Sequence, residues 1–497
     1  MKRLLAAVQR DRDLTARWIV ACGIVAGTLV RVPQLFHSLA EVYAFRQAQT
    51  AVIVQQYAEN GINLLITPLP VFGPNSNVPM EFPLFQAIAS IGVSAGLPAV
   101  VASRLLGLLS FQAVAVLLFL LLRRWSGRRV AVLAVGLFEF LPFGLFWGAA
   151  SLIDFFSVAL ALLMVWGLQH WFETGHRWPL VIGVLASWAA FLVKVTTAPT
   201  WGLLLLAVSA IIITRLGWAA TWKRLLVGFA AGPGVGLLAS IGWTVYADSI
   251  KAANPLTAFL TSSALRDWNF GTIVQRLTPN TWLHIGERVV FEMAVPVAVP
   301  LLLGIAALIF LRGNPRLALL GWMLTAISGP LVFTNLYYVH DYYFIAIYPA
   351  IVAIVAIGIS WTISAVPNPQ VRLVVVGLLV VGAIFSVVLS PAARADIAGL
   401  VKSAPLTPAT IALRDHTEPG SLIVTVGCDW DPSLFFNAER EGVMFRGFSA
   451  GDFWQTESID DYEYLYNCNP EFDSAAFLPT GTTMAPTQTP GLYELEN

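Results

Sequence analysis

Residues 81–97 read EFPLFQAIASIGVSAGL, and residues 100–129 read VVASRLLGLLSFQAVAVLLFLLLRRWSGRR. The second stretch has the roughly 20 apolar residues that a helix needs to cross the hydrocarbon of a bilayer, and it runs into Arg123, Arg124, Arg128 and Arg129. The first is apolar too, but it is short and opens on Glu81-Phe82-Pro83, a poor start for a spanning helix. Its reading decides the side on which every later loop lies. As a span it would export the four arginines, which the preference of basic loops for the cytoplasm disfavours. Laid along the membrane surface, it leaves Lys2, Arg3, Arg10, Arg12, Arg17, the four arginines, Arg177, Arg215, Lys223, Arg224, Arg312, Arg316 and Arg372 on one side, 16 of the 29 basic residues. The opposite loops and helix ends hold 8. This reading puts the amino terminus in the cytoplasm.

Working outward, apolar runs predict eleven spans, near 18–36, 100–122, 130–148, 152–172, 178–193, 196–214, 224–247, 291–311, 316–335, 342–363 and 371–390. Composition agrees, with 57% of the 497 residues hydrophobic and 12% charged, against about 25% charged in ordinary soluble domains. The formal net charge of zero hides an asymmetry, because from Pro391 onward there are 5 Lys+Arg against 16 Asp+Glu. That acidity excludes a nucleic-acid partner. The expected fold is an all-α polytopic membrane protein over residues 1–390 with a small exported α/β domain over 391–497. Three cysteines exclude a disulfide-built scaffold and show no metal-ligand spacing. The first apolar run, from near Trp18, is expected to stay in the bilayer, since no small-residue cleavage signature follows it.

With that topology the acidic residues sort. Outside the tail there are 13, and 9 of them (Glu41, Glu59, Glu81, Asp154, Asp248, Asp267, Glu287, Glu292 and Asp341) fall in exported loops or at exported helix ends. The chemistry is expected to face outward. Two exported loops, 37–99 and 248–290, are too long for connectors, and Gln47–Asn60 and Pro255–Arg266 read as amphipathic surface helices. In the tail, Thr407 caps a helix with Pro408 at its first position, running to about His416. Ser421–Gly427 reads as a strand and Pro432–Arg440 as a second helix. Cys428 and Cys468 share this exported segment, where a disulfide can persist. The sequence leaves their pairing open, because it does not show geometry.

Charged groups kept beside an apolar core are default candidates for function, and the first loop is richest in them. It carries Glu41 just past the first span, Arg46-Gln47 opening a surface helix, and Glu81 before a proline. These are candidates for one interfacial pocket. Several segments together resemble the glycosyltransferase C (GT-C) superfamily, in its polyprenyl-phosphate-sugar branch of aminoarabinose transferases and protein O-mannosyltransferases. Glu41, Arg46-Gln47 and Thr50-Ala51 resemble the acidic motif of that branch's first exported loop. Met80-Glu81-Phe82-Pro83-Leu84 resembles its Phe-Glu-Lys-Pro-Pro element, Ala150–Phe156 its fourth-span entrance, Leu192-Val193-Lys194 its Thr-Lys-Gly element, and His340-Asp341-Tyr342-Tyr343 with Tyr348-Pro349 the start of a late span. The resemblance covers most of residues 15–390. Two departures stand out: Phe82 replaces a phosphate-binding lysine, and the first carboxylate is Glu rather than Asp.

The resemblance implies an enzyme of the cell envelope, a plasma-membrane glycosyltransferase using a polyprenyl-phosphate sugar and a glycan, lipid or protein hydroxyl as acceptor. Such transfer needs a base, which a carboxylate can supply. Phosphate is a weakly basic leaving group, so the second requirement is positive charge rather than a second carboxylic acid. Glu41 is expected as the base, with Glu81 beside it in the site. Arg46, Gln47, Lys194, His340, Asp341, Tyr342 and Tyr343 are expected as donor contacts, and Asp154 and Arg266 as support. No obligatory metal or other cofactor is expected. Each residue has a plainer reading: Glu41 as a solvated cap, Arg46 and Lys194 as side chains snorkelling to headgroups, His340 and Asp341 as part of an aromatic belt, and Asp154 as a favourable charge at a helix start. Glu139, mid-span, reads as bonded to another helix or protonated. Trp430 reads more readily as a packed loop aromatic than as a glycan platform. The rival class is a transporter or channel, against which stands the absence of a clear internal repeat.

Overall fold

A computed structural model describes residues 2–41, 43–293, 297–446, 450 and 453–496, with residues 2–12 described by their backbone alone. Val42 of the first-loop motif, residues 294–296 of the expected 291–311 span, and the side chains of Lys2, Arg3, Arg10 and Arg12 lie outside the described set. Among the described residues, eight helices are long and apolar enough to cross a membrane: Asp13–Phe36, Ala99–Trp125, Asp154–Thr174, Ala198–Leu216, Trp218–Ala253, Gly313–Val332, Tyr348–Ala365 and Pro369–Leu389. The chain is a multi-pass membrane protein. The other three expected spans are short or interrupted. Residues 178–193 lie in the 17-residue helix Arg177–Val193, 130–148 divides into Arg128–Phe140 and Pro142–Trp147, and 291–311 is broken between Met293 and Ala298. Leu84–Ser94 has 11 residues, about 16 Å of helix, and so reaches only half way across a hydrocarbon layer about 30 Å thick.

The chain forms two compact units. The first comprises Met1–Gln34, Gly107–Ile241 and Arg266–Val401. Its helices pack through small residues, as expected where lipid removes the hydrophobic drive to associate. A Cβ on Gly167 would come within 2.8 Å of the Gly183 Cα, so Asp154–Thr174 and Arg177–Val193 cross almost backbone to backbone. The break at Pro142 shows how this unit satisfies its backbone. Proline has no N–H to give the Phe138 carbonyl, and the Tyr348 hydroxyl donates there instead at 3.1 Å. Arg31, fully buried, donates to the Glu139 carbonyl at 2.7 Å, to the Gly144 carbonyl at 3.0 Å and to Glu139 Oε2 at 3.1 Å. Glu139 is thus the ion-pair partner of Arg31 at a helix break.

The second unit comprises Leu35–Leu106, Gly242–Leu265 and Lys402–Asn497. Its sheet has five strands, β1 (Leu422–Val426), β2 (Glu441–Phe445), β3 (Tyr462–Asn467), β4 (Thr483–Pro486) and β5 (Leu492–Glu496), in the order β2-β1-β3-β5-β4. The first three are parallel, and β5 pairs antiparallel with both β3 and β4. Gly442 sits opposite Ile423, and a Cβ there would collide with the Ile423 carbonyl at 1.9 Å, so glycine sets the β1–β2 approach. The outer edge of β2 is covered by the first long loop. Met444 N–H donates to the Val71 carbonyl at 2.8 Å and Gly73 N–H to that of Gly442 at 3.0 Å, which protects an edge otherwise open to foreign pairing. Val52, Leu69, Val71 and Phe72 share a core with Leu413, Ile423, Trp430 and Leu434. Trp430 is buried there, edge-on to Phe45 at 4.4 Å and stacked on Phe72 at 5.7 Å.

The expected helices Pro408–His416 and Pro432–Ala438 form, as does the first-loop helix, Ala44–Asn60. Pro255–Arg266 does not: only a 3-10 turn, Ala258–Leu260, is present. Asp248 takes the N–H of Ser262 at 3.0 Å, and its hydroxyl as well, and such side-chain bonds compete with a helix. Cys428 and Cys468 are joined, with Cα atoms 5.1 Å apart and a sequence separation of 40. Closing a loop of that length stabilises by about 4 kcal/mol through the unfolded chain. Cys428→Ser/Cys468→Ser should therefore expose the second unit to protease at a lower temperature, with the first unit's fragments unchanged, as read by limited proteolysis on a thermal ramp.

Candidate active site

In the second unit the site begins at a turn. Ala44 N–H donates to the Glu41 carbonyl at 2.9 Å, and Tyr43 takes the left-handed conformation, φ 57°, uncommon for a bulky side chain. The turn folds Glu41 over the first turn of Ala44–Asn60, where Gln47 Nε2 donates to Glu41 Oε1 at 3.0 Å. Arg104, from the helix Ala99–Trp125, donates to the same oxygen at 2.6 Å. Arg104 is 1% exposed and Glu41 11%. Both bonds fall on Oε1, so neither engages Oε2. Arg46 makes a second, more open pair: its Nη2 donates to Glu81 Oε1 at 2.6 Å and its Nη1 to Gln49 Oε1 at 2.5 Å. The first-loop residues Glu41, Arg46, Gln47 and Glu81 are brought together, and the cap and snorkelling readings of Glu41 and Arg46 give way to paired charges. Phe82 packs edge-on against Trp243 at 5.0 Å.

The first unit holds a second cluster. Lys194, the residue that ends Arg177–Val193, pairs through Nζ with Asp154 Oδ1 at 2.5 Å. Asp154 opens the helix Asp154–Thr174. Both side chains are at most 3% exposed, so Lys194 does not snorkel. Its ammonium lies 4.8 Å from the Tyr343 ring and 5.6 Å from the Tyr342 ring, and these two rings stack at 4.7 Å. His340 lies 5.2 Å from the Tyr342 ring and 5.8 Å from that of Trp268. Tyr337 is buried, its hydroxyl lacks a hydrogen-bond partner among the described residues, and burial, then the charges of Asp154 and Tyr343, push its pKa up. Arg266 is exposed at the start of the short helix Arg266–Phe270, whereas Arg276 is spent on the carbonyls of Phe270 and Val332.

Sequence reasoning missed Arg104. It lies five residues into an apolar helix and reads as part of a span, although a charge retained in such a run was itself the signal. It also missed Tyr337 and Asp396. Asp396, in the short helix Pro391–Gly399 that follows the last span, is pushed up to about 7 by burial and by the negative charges of Asp341 and Glu292.

Two predictions follow from this geometry. Removing one partner of a buried ion pair costs about 3–5 kcal/mol, because the other charge is left alone. Lys194→Met should lower thermal stability in detergent by that order, and Lys194→Met/Asp154→Leu should recover most of it. For Asp396 the folded carboxyl binds its proton more tightly than the unfolded one, so its contribution is intact near pH 4 and is lost as pH rises through about 7. Asp396→Asn should raise the melting temperature at pH 8 and leave it unchanged at pH 4, as read by differential scanning fluorimetry at the two values.

No protein-family profile matches the chain, and no curated protein matches it. Solved structures do. ArnT from Cupriavidus metallidurans bound to undecaprenyl phosphate superposes with a TM-score of 0.62 at 15% identity, over 96% of this chain and 97% of that one. The archaeal oligosaccharyltransferase AglB from Archaeoglobus fulgidus, in complex with an inhibitory peptide and a dolichol-phosphate, gives 0.52 at 12% identity, over 92% and 69%. The chain therefore shares the fold of these two proteins.

Proposed function

We propose that this GT-C-fold chain is a membrane glycosyltransferase, moving a sugar from a polyprenyl phosphate to an acceptor hydroxyl with inversion. The observation that carries the reading is the Glu41 carboxylate, sheltered in the loop after the first long helix and fixed through one oxygen by Arg104 and Gln47. A base held in one orientation, with its second oxygen clear of those bonds, is suited to proton abstraction. The acceptor oxygen forms its bond to the anomeric carbon as Oε2 takes its proton. The bond from that carbon to the phosphate oxygen breaks, and polyprenyl phosphate leaves with the electron pair. Attack opposite the leaving group inverts the anomeric centre.

Arg46, held by Glu81 and Gln49, is the cation of this cluster for the departing phosphate. Within the first unit, taken by itself, Lys194 has its charge met by Asp154, and the donor contact proposed for this cluster is made by the stacked Tyr342 and Tyr343 rings that it holds, with His340 and Asp341. Arg266 is the exposed cation in reserve. A monophosphate leaving group makes no demand on a divalent metal that these cations do not meet. Two further facts support the reading. The structures sharing the fold were solved with undecaprenyl phosphate and dolichol-phosphate, and the Cys428–Cys468 disulfide suits an oxidising compartment. The latter favours an extracytoplasmic tail, with the amino terminus cytoplasmic and the protein in the plasma membrane. The acceptor is a glycan, lipid or protein hydroxyl.

The test is release of labelled sugar from a polyprenyl-phosphate donor by the purified protein. Glu41→Gln should lower turnover by roughly 100-fold or more, the scale of base catalysis, with donor binding retained. Arg104→Lys, which keeps charge but loses the planar fork, should lower kcat more than it raises KM. Undiminished turnover in Glu41→Gln would remove the base from the mechanism. Absence of donor binding to the parent protein would remove the class and favour solute transport.

A further inference from the structure

On the face of the first unit that carries the arginine cluster, the helix Lys2–Arg31 and the helix Arg128–Phe140 enclose a groove of about 460 Å³. Its lining is mostly apolar, Ala16, Ile19, Val132 and Leu133, and is completed by Thr15 and the cations Arg128 and Arg129. Among the described residues the charges at the groove do not cancel. Asp13 is the carboxylate that meets both Arg128, at 3.0 Å, and Arg123, at 3.5 Å. One negative charge shared by two guanidiniums leaves a positive remainder, and exposed Arg129 adds to it. Ile19 is 54% exposed, so the apolar lining continues onto the lipid-facing surface of its helix.

We propose that this groove binds one anionic glycerophospholipid, its acyl chain along Ile19, Val132 and Leu133 and its phosphodiester on Arg128 and Arg129. The occupant follows from the pairing of surfaces. A soluble anion would leave the apolar lining exposed, a neutral lipid would leave the arginines unmet, and an anionic lipid satisfies both. Basic pockets between transmembrane helices bind acidic headgroups by this combination. The cluster lies apart in sequence from Glu41, Glu81, Lys194 and the tyrosines, so the inference stands whether or not the proposed reaction is correct.

The experiment is native mass spectrometry of the full chain released from nanodiscs of mixed phosphatidylglycerol and phosphatidylcholine. The parent protein should retain one phosphatidylglycerol in preference to phosphatidylcholine, and inorganic phosphate should not displace it. Arg128→Ala/Arg129→Ala should reduce that retention roughly 20-fold, since each basic side chain near a lipid surface contributes about a factor of five. Ile19→Trp and Leu133→Trp fill the groove from opposite walls with the arginines intact, and either one that elutes as a monodisperse peak should also lose the adduct. Retention unchanged in the arginine variant overturns the proposal. So does loss in the arginine variant with full retention in the tryptophan variants, which would mean diffuse attraction without a built site. Displacement by inorganic phosphate, or a second copy of the chain in place of lipid, overturns it equally.

Discussion

A charge surrounded by hydrocarbon persists only where an opposite charge and hydrogen bonds meet it, and this constraint accounts for the arrangement of the apolar part of the chain. Three buried or nearly buried pairs meet it: Arg31 with Glu139, Arg104 with Glu41, and Lys194 with Asp154. Each joins elements distant in sequence, so each also fixes a register that apolar packing alone would leave loose. The pairs differ in what else they hold. Arg31 gives two further bonds to carbonyls at the Pro142 break. Lys194 lies under two tyrosine rings. Arg104 places all of its recorded contact with Glu41 on one oxygen.

That difference separates scaffold from site. Arg31–Glu139 has every neighbour of a structural device: both side chains are fully buried, and the arginine supplies donors to carbonyls near a break that proline creates. Arg104–Glu41 involves the loop after the first long helix, with its carboxylate partly open. Beside it, Arg46–Glu81 is more open still. The gradient from sealed to accessible runs with the proposed roles, since a positioning arginine gains from burial whereas a phosphate-binding one must be reached.

Much of the fold was legible because span recognition needs only local composition. A predominantly apolar stretch of about 20 residues is long enough to cross a bilayer as a helix, and the helices Ala198–Leu216 and Ala99–Trp125 form where their sequence requires. That 82–97 holds a helix too short to span, Leu84–Ser94, also followed from local facts, its length and the Glu-Phe-Pro start. What could not be read was non-local. β2 to β5 are short, and their order depends on partners as distant along the chain as Ile423 and Tyr464. The Cys428–Cys468 bond needed geometry. Pro255–Arg266 was misread because its apolar spacing was visible and the competing bond from Asp248 was not.

The candidate site divides along the same line. Glu41, Arg46, Gln47 and Glu81 were found because they cluster in one loop, so proximity in sequence stood in for proximity in space. Arg104 was missed because it is 63 residues from the carboxylate it holds and is embedded in leucine, valine and alanine. A lone arginine in such a run has two physical outcomes, a snorkelling side chain or a buried partner. The partner decides between them: Arg104 lies five residues after the start of its helix at Ala99, where the chain's own loop brings the Glu41 carboxylate to it. Glu139 also lies near a helix end, one residue before the close of Arg128–Phe140, so closeness to an end does not by itself separate site from scaffold; the partner does, a loop carboxylate for Arg104 and the helix-borne Arg31 for Glu139.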